Sequence, residues 1–173
     1  MLAIRTAILT LSDKGFRGER QDLTGPGLKA ELESRPEYCV TCLDLLPDEQ
    51  DQIEDWLRTQ ADSGSVDLIL TNGGTGFAPR DLTPEATAAV IQRPAPGLAE
   101  LMRQRSYKIT PTAMLSRATA GIRGRTLIVN LPGSPKAALE NWSFIQELVG
   151  HAVALLRDEL GHHADPGPPE LGD

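Results

Sequence analysis

The sequence predicts an α/β fold, a three-layer α/β/α sandwich with a mostly parallel, mixed sheet. Three observations carry this. Short apolar runs rich in β-branched residues, at positions 4–11, 66–71 and 126–130, lack the polar alternation of a half-solvated strand, as expected where both faces of a sheet are covered. Segments of helical period stand between them. The 16 Gly and 13 Pro gather at residues 25–27, 72–79, 94–97 and 132–135, where they punctuate the apolar segments.

The elements follow in order. Residues 4–11 stop at Ser12-Asp13 and read as a central strand. Thr24-Gly25-Pro26 places a capping hydroxyl before an early Pro, with Leu28 and Leu32 at helical spacing, so a first helix runs to about Ser34. Residues 38–46 form a second strand ending at Pro47. Asp48 then reads as the N-cap of a helix whose Ile53, Trp56 and Leu57 fall at i, i+3 and i+4. A third strand, 66–71, leads into the glycine loop 72–76 and then Thr83-Pro84-Glu85, which supplies a cap, a Pro at the first helical position and an acidic first turn. Leu98, Leu101 and Met102 mark a short amphipathic helix; residues 110–114 are too interrupted by Pro to assign. Residues 118–122 and 126–130 flank Arg123-Gly124 as a hairpin. Leu139, Trp142, Ile145, Leu148, Val149, Ala152, Leu155 and Leu156 keep helical period from Lys136 to Leu160, where Gly161 ends the run. Residues 1–160 are therefore expected to form one domain. Residues 161–173, with Pro166, Pro168 and Pro169, lack the apolar content to order themselves and are expected to be a flexible tail.

Charge narrows the function. With 17 Lys+Arg against 24 Asp+Glu the net charge is −7, which argues against a nucleic-acid or anionic-membrane surface, since both need a dense basic face. No apolar run reaches the roughly 18 residues of a membrane span, and Arg5 interrupts the first apolar run with no small-residue cleavage site behind it. The expectation is a soluble, cytoplasmic protein that holds any anion locally.

Four segments should converge at the carboxyl edge of the strands, where α/β sheets bind ligands: Ser12-Asp13-Lys14-Gly15, Pro47-Asp48-Glu49, residues 72–81 and residues 132–136. Gly73-Gly74-Thr75-Gly76 could expose successive backbone N–H groups to a phosphate, or could be a tight structural turn. It is neither a Walker A loop, having no Gly-Lys-[Ser/Thr], nor a dinucleotide fingerprint, since Pro79 stands where a small residue is needed. Asp48 and Asp81 each follow a strand and could jointly hold Mg²⁺; each could equally be a cap or a turn residue. Lys14, Arg17, Arg80 and Lys136 are the local cations. Cys39 and Cys42 have metal-like spacing, but in a regular strand i and i+3 point to opposite faces, so they read as diverging, buried thiols without redox or metal function. His151, His162 and His163 offer no ligand set.

Leu-Thr-Asn-Gly-Gly-Thr-Gly-Phe-Ala-Pro-Arg-Asp-Leu-Thr-Pro-Glu-Ala-Thr, residues 70–87, strongly resembles the signature of the MogA/MoaB family of molybdopterin-binding proteins. Further blocks agree in order: Thr10-Leu-Ser-Asp13, Leu46-Pro-Asp-Glu49, Pro96-Gly-Leu98, Ile109-Thr-Pro111, Met114-Leu-Ser-Arg117, Ala120-Gly-Ile-Arg-Gly124 and residues 129–137. The resemblance spans about residues 3–158. It implies a cytoplasmic homo-trimer acting late in molybdenum cofactor synthesis, alongside the other proteins of that route. Active members transfer AMP from Mg·ATP to the phosphate of molybdopterin and release pyrophosphate. Carried over, Asp48 and Asp81 are the catalytic carboxylates and Mg²⁺ ligands. Ser12, Asp13, Asn72, Gly73, Gly74, Thr75, Gly76, Arg80, Ser116, Pro132, Gly133, Ser134 and Lys136 form the binding loops for ATP and molybdopterin. The alternative is a non-catalytic molybdopterin-binding module or a trimeric scaffold. A binding module predicts loss of one Asp, and a scaffold predicts an appended partner-binding domain.

Overall fold

The computed structural model describes residues 2–158 of the chain, so the proposed tail at 161–173 and the helix stop at Gly161 lie outside the described residues. Among those described, six strands form one sheet: β1 (Ile4–Leu11), β2 (Tyr38–Leu46), β3 (Leu68–Asn72), β4 (Arg93–Pro94), β5 (Ala120–Arg123) and β6 (Thr126–Leu131). Their order is β2-β1-β3-β6-β5-β4. Neighbours are parallel from β2 through β6, and β5 runs antiparallel to both β6 and β4. The mixed sandwich is as the sequence predicts, with β1 interior. The two-residue β4 was not foreseen, because two exposed residues carry no periodicity.

The helices are α1 (Asp13–Phe16), α2 (Thr24–Glu33), α3 (Gln50–Asp62), α4 (Thr83–Val90), α5 (Pro96–Tyr107) and α6 (Pro135–Leu156), with a 3₁₀ turn at Pro111–Leu115. One face of the sheet packs Ile8, Leu70 and Val129 against Leu28 and Leu32 of α2, Met102 of α5 and Trp142, Ile145 and Val149 of α6. The other packs Leu9, Ile69 and Ile128 against Ile53 and Leu57 of α3 and Ala86 and Val90 of α4. Adjacent strand residues thus feed opposite cores, which is why these runs are apolar throughout. The core is largely aliphatic. Its one fully buried aromatic, Trp142, meets Tyr38 edge-on with ring centroids 5.4 Å apart.

Several helix starts differ from expectation. Thr24 and Thr83 do not cap with their hydroxyls. Thr24 Oγ1 donates to the Gly133 carbonyl at 2.8 Å, while Asp22 Oδ1 accepts the backbone N–H groups of Thr24 and Gly25 in its place. Thr83 Oγ1 donates to the Gly73 carbonyl at 2.8 Å. Nor is Asp48 an N-cap, since α3 begins at Gln50 behind Glu49. In each case a long-range partner outcompetes the local one. The hairpin turns at Gly124-Arg125, one residue later than the dipeptide suggested, with Gly124 at φ +56°. Ser134 does cap α6, accepting from Ala137 N–H.

The largest correction concerns the cysteines. A bulge in β2 between the residues facing Thr6 and Ala7 pairs Val40 with Thr6 but Cys42 with Ala7, leaving Thr41 extra. Cys39 and Cys42 therefore share a face rather than diverge. Cys39 is exposed and Cys42 only partly buried. Burial and the Asp44 carboxylate, to which Cys42 Sγ donates, push the Cys42 thiol up to about 11, so it stays protonated at neutral pH.

At the opposite end of the sheet Asp67, 5% exposed, receives Arg5 Nε, Arg5 Nη2 and the Arg5 backbone N–H at 2.8–2.9 Å, and Arg157 Nη2 at 2.6 Å. This ties the end of α6 to the starts of β1 and β3. Burial alone would raise the Asp67 pKa, but hydrogen bonds from Arg5 and Arg157 outweigh it and hold the carboxyl well below the usual range. A depressed carboxylate stabilises the fold above its unfolded pKa of about 3.9 and loses that contribution as pH falls further. Asp67→Asn should therefore lower stability by about 1.5–3 kcal/mol at pH 7, the cost of replacing a buried carboxylate that accepts charge-assisted hydrogen bonds from two guanidinium groups. The gap to the parent should shrink below pH 4, and urea unfolding at pH 7 and pH 3 measures both.

Candidate functional site

The chain crosses from β1 to β2 through α2 on one face and from β2 to β3 through α3 on the other, so a cleft opens at the carboxyl ends of β1 and β3. All four predicted segments meet there. A polar cavity of about 390 Å³ is lined by Ser12, Asp22, Asp48, Asn72, Gly73, Gly74, Asp81, Gly133 and Ser134 among others. Beside it a second cavity of about 280 Å³ is walled by Ala99, Met102, Ile109, Leu115 and Pro132, with Thr75, Ser106, Thr110 and Ser116 supplying hydroxyls. The glycine loop lies between them: Gly73 and Gly74 line the first cavity, Thr75 and Gly76 the second.

Three glycines of this loop are required by close approach. At Gly73 (φ +98°) a Cβ would stand 2.3 Å from the Leu11 carbonyl oxygen. At Gly74 (φ +63°) it would meet Thr83 Oγ1 at 2.4 Å and Asp48 Oδ1 at 3.0 Å. At Gly76 it would stand 2.8 Å from Asp81 Oδ2. Both aspartates thus lie over glycines of one loop, and the space that side chains would fill is occupied by carboxylate. The N–H groups of the loop are not all free, because Gly73 N–H donates to the Leu131 carbonyl at 3.2 Å. The loop is part tight turn and part open rim.

The strand-end carboxylates are in unlike environments. Asp13 and Asp48 clasp β1 to β2 reciprocally: Asp13 N–H donates to Asp48 Oδ2 at 2.9 Å, and Asp48 N–H to Asp13 Oδ1 at 3.1 Å. Arg80 Nε and Nη2 grip the Asp13 carboxylate at 2.6 and 2.8 Å, and Nη2 also reaches Glu49 at 2.7 Å. The Arg80 hydrogen bonds chiefly hold Asp13 below the usual carboxylate range. Asp48 moves the other way, raised first by burial and also by the charges of Asp13 and Asp81. One carboxylate is already neutralised and the other is not. Asp81 Oδ2 accepts from Ala78 N–H at 2.8 Å, and the cavity receives both Asp48 and Asp81.

These two carboxylates suit a metal that arrives with its ligand. Among the described residues no group of three or more His, Cys, Asp or Glu could hold an ion unaided. Mg²⁺ keeps several waters and binds through one or two carboxylates plus substrate phosphates, a demand the pair can meet.

Not every predicted residue is in place. Lys136 is 84% exposed, 3.8 Å from Glu140, and lines neither cavity. It is the second residue of α6, where its side chain turns to solvent while the preceding Pro135 lines the polar cavity. Arg17 pairs with exposed Glu19. Arg80 is at the rim, already engaged by two acids. Conversely, Asp22 and Thr24 shape the cleft unforeseen, for turn and cap residues carry no sequence mark of a distant partner. Arg117 was likewise missed as a separate element. It lies between the two cavities, with Nε 2.7 Å from the Gly76 carbonyl oxygen.

The chain matches the family described as a probable molybdopterin binding domain over residues 7–151. It belongs to that family. Among curated relatives it is 42% identical over 160 residues to the molybdopterin adenylyltransferase of Helicobacter pylori, covering 90% of this chain and 89% of that one. It is 40% identical over 163 residues to the enzyme of that name from Escherichia coli, covering 88% and 79%. The crystal structure of the molybdopterin biosynthesis enzyme MoaB from Thermus thermophilus superposes with a TM-score of 0.83 at 54% identity, covering 88% of this chain and 96% of that one.

The electrostatics give a test independent of turnover. A carbon-13 titration of the Asp48 carboxyl should find its midpoint above the ordinary value of about 3.9, and Asp81→Asn should bring it down by removing a like charge. An unmoved midpoint in the variant would mean that the two carboxylates do not share a field.

Proposed function

We propose that this protein is a molybdopterin adenylyltransferase of molybdenum cofactor biosynthesis, joining the AMP portion of Mg·ATP to the phosphate of molybdopterin in the cytoplasm. The observation that carries the reading is the pairing of Asp48 and Asp81 over a single glycine loop, at a cleft shared by two cavities. Relatives of that name at 40–42% identity support it.

The chemistry asks for alignment and charge neutralisation. A terminal phosphate oxygen of molybdopterin attacks the α-phosphorus of ATP, the bond to the bridging oxygen breaks, and pyrophosphate leaves with that electron pair. The nucleophile is already anionic, so no general base is needed, and the barrier lies in bringing polyanions together in line. In the polar cavity Asp48 and Asp81 would hold the Mg²⁺ that comes with the nucleotide, and the ion would supply charge neutralisation for the leaving pyrophosphate. The apolar-walled cavity at Ser116 receives a ring system. Loop residues 73–76 stand between, where the reacting phosphates meet.

Asp48→Asn should keep the reciprocal clasp, because an amide oxygen still accepts from Asp13 N–H. The sign of its stability effect follows from the raised pKa of Asp48: above it, ionisation costs the fold something, while below the unfolded pKa that cost is absent. The variant should thus be at least as stable as the parent at pH 7, while adenylyl transfer falls by about 10²–10³-fold, as should Asp81→Asn. Pyrophosphate release with purified molybdopterin and Mg·ATP is the measurement. Near-parent rates in both variants would return the two aspartates to structural roles, and a parent that bound molybdopterin without releasing pyrophosphate would be a binding module.

The assembly proposed is a homo-trimer. Tyr107 and Met114, each more than half exposed and lining neither site cavity, lie at the end of α5 and on the following 3₁₀ turn, apolar surface of the kind a subunit covers. Light scattering should give about three times the 18.7 kDa of the chain. A monomer mass at micromolar concentration would overturn it.

A further inference from the structure

Arg117 holds the glycine loop through both its backbone and its guanidinium. Its backbone N–H donates to the Thr75 carbonyl at 2.8 Å and its Nε to the Gly76 carbonyl at 2.7 Å. Nη2 donates to the Asp81 carbonyl and Nη1 to the Glu85 carboxylate in the first turn of α4. One guanidinium therefore bridges backbone oxygens five residues apart, at both ends of the segment that carries Asp81. The segment also closes on itself, with Asp81 N–H to the Ala78 carbonyl at 2.9 Å and Ala78 N–H to Asp81 Oδ2 at 2.8 Å. Arg117 is in turn anchored by its neighbours, since Arg103 Nη1 donates to the Ser116 and Ala118 carbonyls at 3.3 and 2.8 Å. Only a planar, multidentate donor can span such a loop; an ammonium is a single point of charge.

We infer that Arg117 is a positioning residue for the transfer reaction: it straps residues 75–81 into one loop conformation and so fixes the Asp81 carboxylate relative to Asp48, coupling the two cavities that this loop separates. This deepens the adenylyltransferase reading and rests on it for its kinetic arm. Arg117 touches neither Asp carboxylate. It acts through the two carbonyls, and Glu85 holds the guanidinium in the plane that reaches both. The adjoining Ser116 lines the ring cavity, so the strap runs from that cavity to the carboxylate of the other.

The test compares the parent with Arg117→Ala, Arg117→Lys and Glu85→Gln. Without any substrate, amide hydrogen exchange of residues 75–82 should quicken at least tenfold in both Arg117 variants while α6 stays protected. In turnover, kcat should fall about 100-fold in Arg117→Ala and nearly as far in Arg117→Lys, with KM for Mg·ATP changed less than about fivefold, as expected when a reacting group is misplaced by an ångström. Guanidinium ion at tens of millimolar should restore part of the Arg117→Ala rate, and methylammonium should not. Glu85→Gln, a milder change, should lower kcat about fivefold and keeps the question open to measurement if Arg117→Ala does not fold. Parent-like exchange in the Arg117 variants, or parent-like kcat in Arg117→Lys, would overturn the inference. If the parent itself released no pyrophosphate, the adenylyltransferase reading would fall, and unchanged exchange in the variants would still, separately, sink the strap.

Discussion

The cleft depends on one close approach of backbone to backbone at Gly73. A Cβ there would stand 2.3 Å from the Leu11 carbonyl oxygen, and a Cβ on Gly133 would stand 3.1 Å from the Gly73 Cα. Three strand ends, those of β1, β3 and β6, are thereby drawn together with no side chain between them. Any Cβ at Gly73 would wedge the loop off β1 and demand a left-handed backbone besides. Because the ends converge, Thr83 Oγ1 can reach the Gly73 carbonyl and Thr24 Oγ1 the Gly133 carbonyl, so α4 and α2 start where the loops dictate. The hydroxyls that local rules assign to helix caps serve this tertiary junction instead.

A second constraint fastens the same strands from within the core. Asn130, fully buried on β6, donates from Nδ2 to Thr71 Oγ1 at 2.9 Å and Thr87 Oγ1 at 2.8 Å, and its Oδ1 accepts from Thr119 N–H at 3.2 Å. An amide with every one of these atoms satisfied fixes β3, β6, α4 and the approach to β5 in one register, which an apolar residue of the same size would leave free to slide. The glycine loop begins one residue beyond Asn72, so its starting point is set by this polar node as much as by the apolar core.

The fold was legible in the sequence where periodicity and burial agree. Strands of 8, 9 and 6 residues with apolar character and helices with Ile53/Leu57 or Trp142/Ile145/Val149 spacing fell close to their observed bounds. What failed were inferences that assume a regular strand or a local cap. The Thr41 bulge reverses the facing of Cys42 without any Gly or Pro to announce it, Thr24 and Asp48 find partners that no window of neighbours contains, and Thr83 reaches back ten residues across the glycine loop. The placement of Asp48, Asp81 and the glycines at one cleft was readable because strand ends and turn residues mark them. Lys136 was misread because proximity along the chain does not fix where a helix points, and Arg117 was underread because its value lies in carbonyls it meets across 36 and 41 residues.

The electrostatic pattern of the cleft also explains how a chain of net charge −7 can handle two polyanionic substrates. Two nearby guanidinium groups are already committed, Arg80 to Asp13 and Glu49 and Arg117 to Glu85 and two carbonyls, while Arg20 lines the polar cavity. Drawing either onto a phosphate would strand carboxylates or loosen the loop, so neither is a free counter-charge. Asp48 makes no salt bridge among the described residues, accepting only from the Asp13 N–H, and burial and like charge have raised its pKa. Such a carboxylate pair would favour a triphosphate that carries a divalent cation over a bare one, since the ion would relieve Asp48 and Asp81 while offsetting the phosphates. On the proposed reading a cation carried by the nucleotide would supply much of the charge that the transferring phosphates need, and the cleft would hold that complex in place.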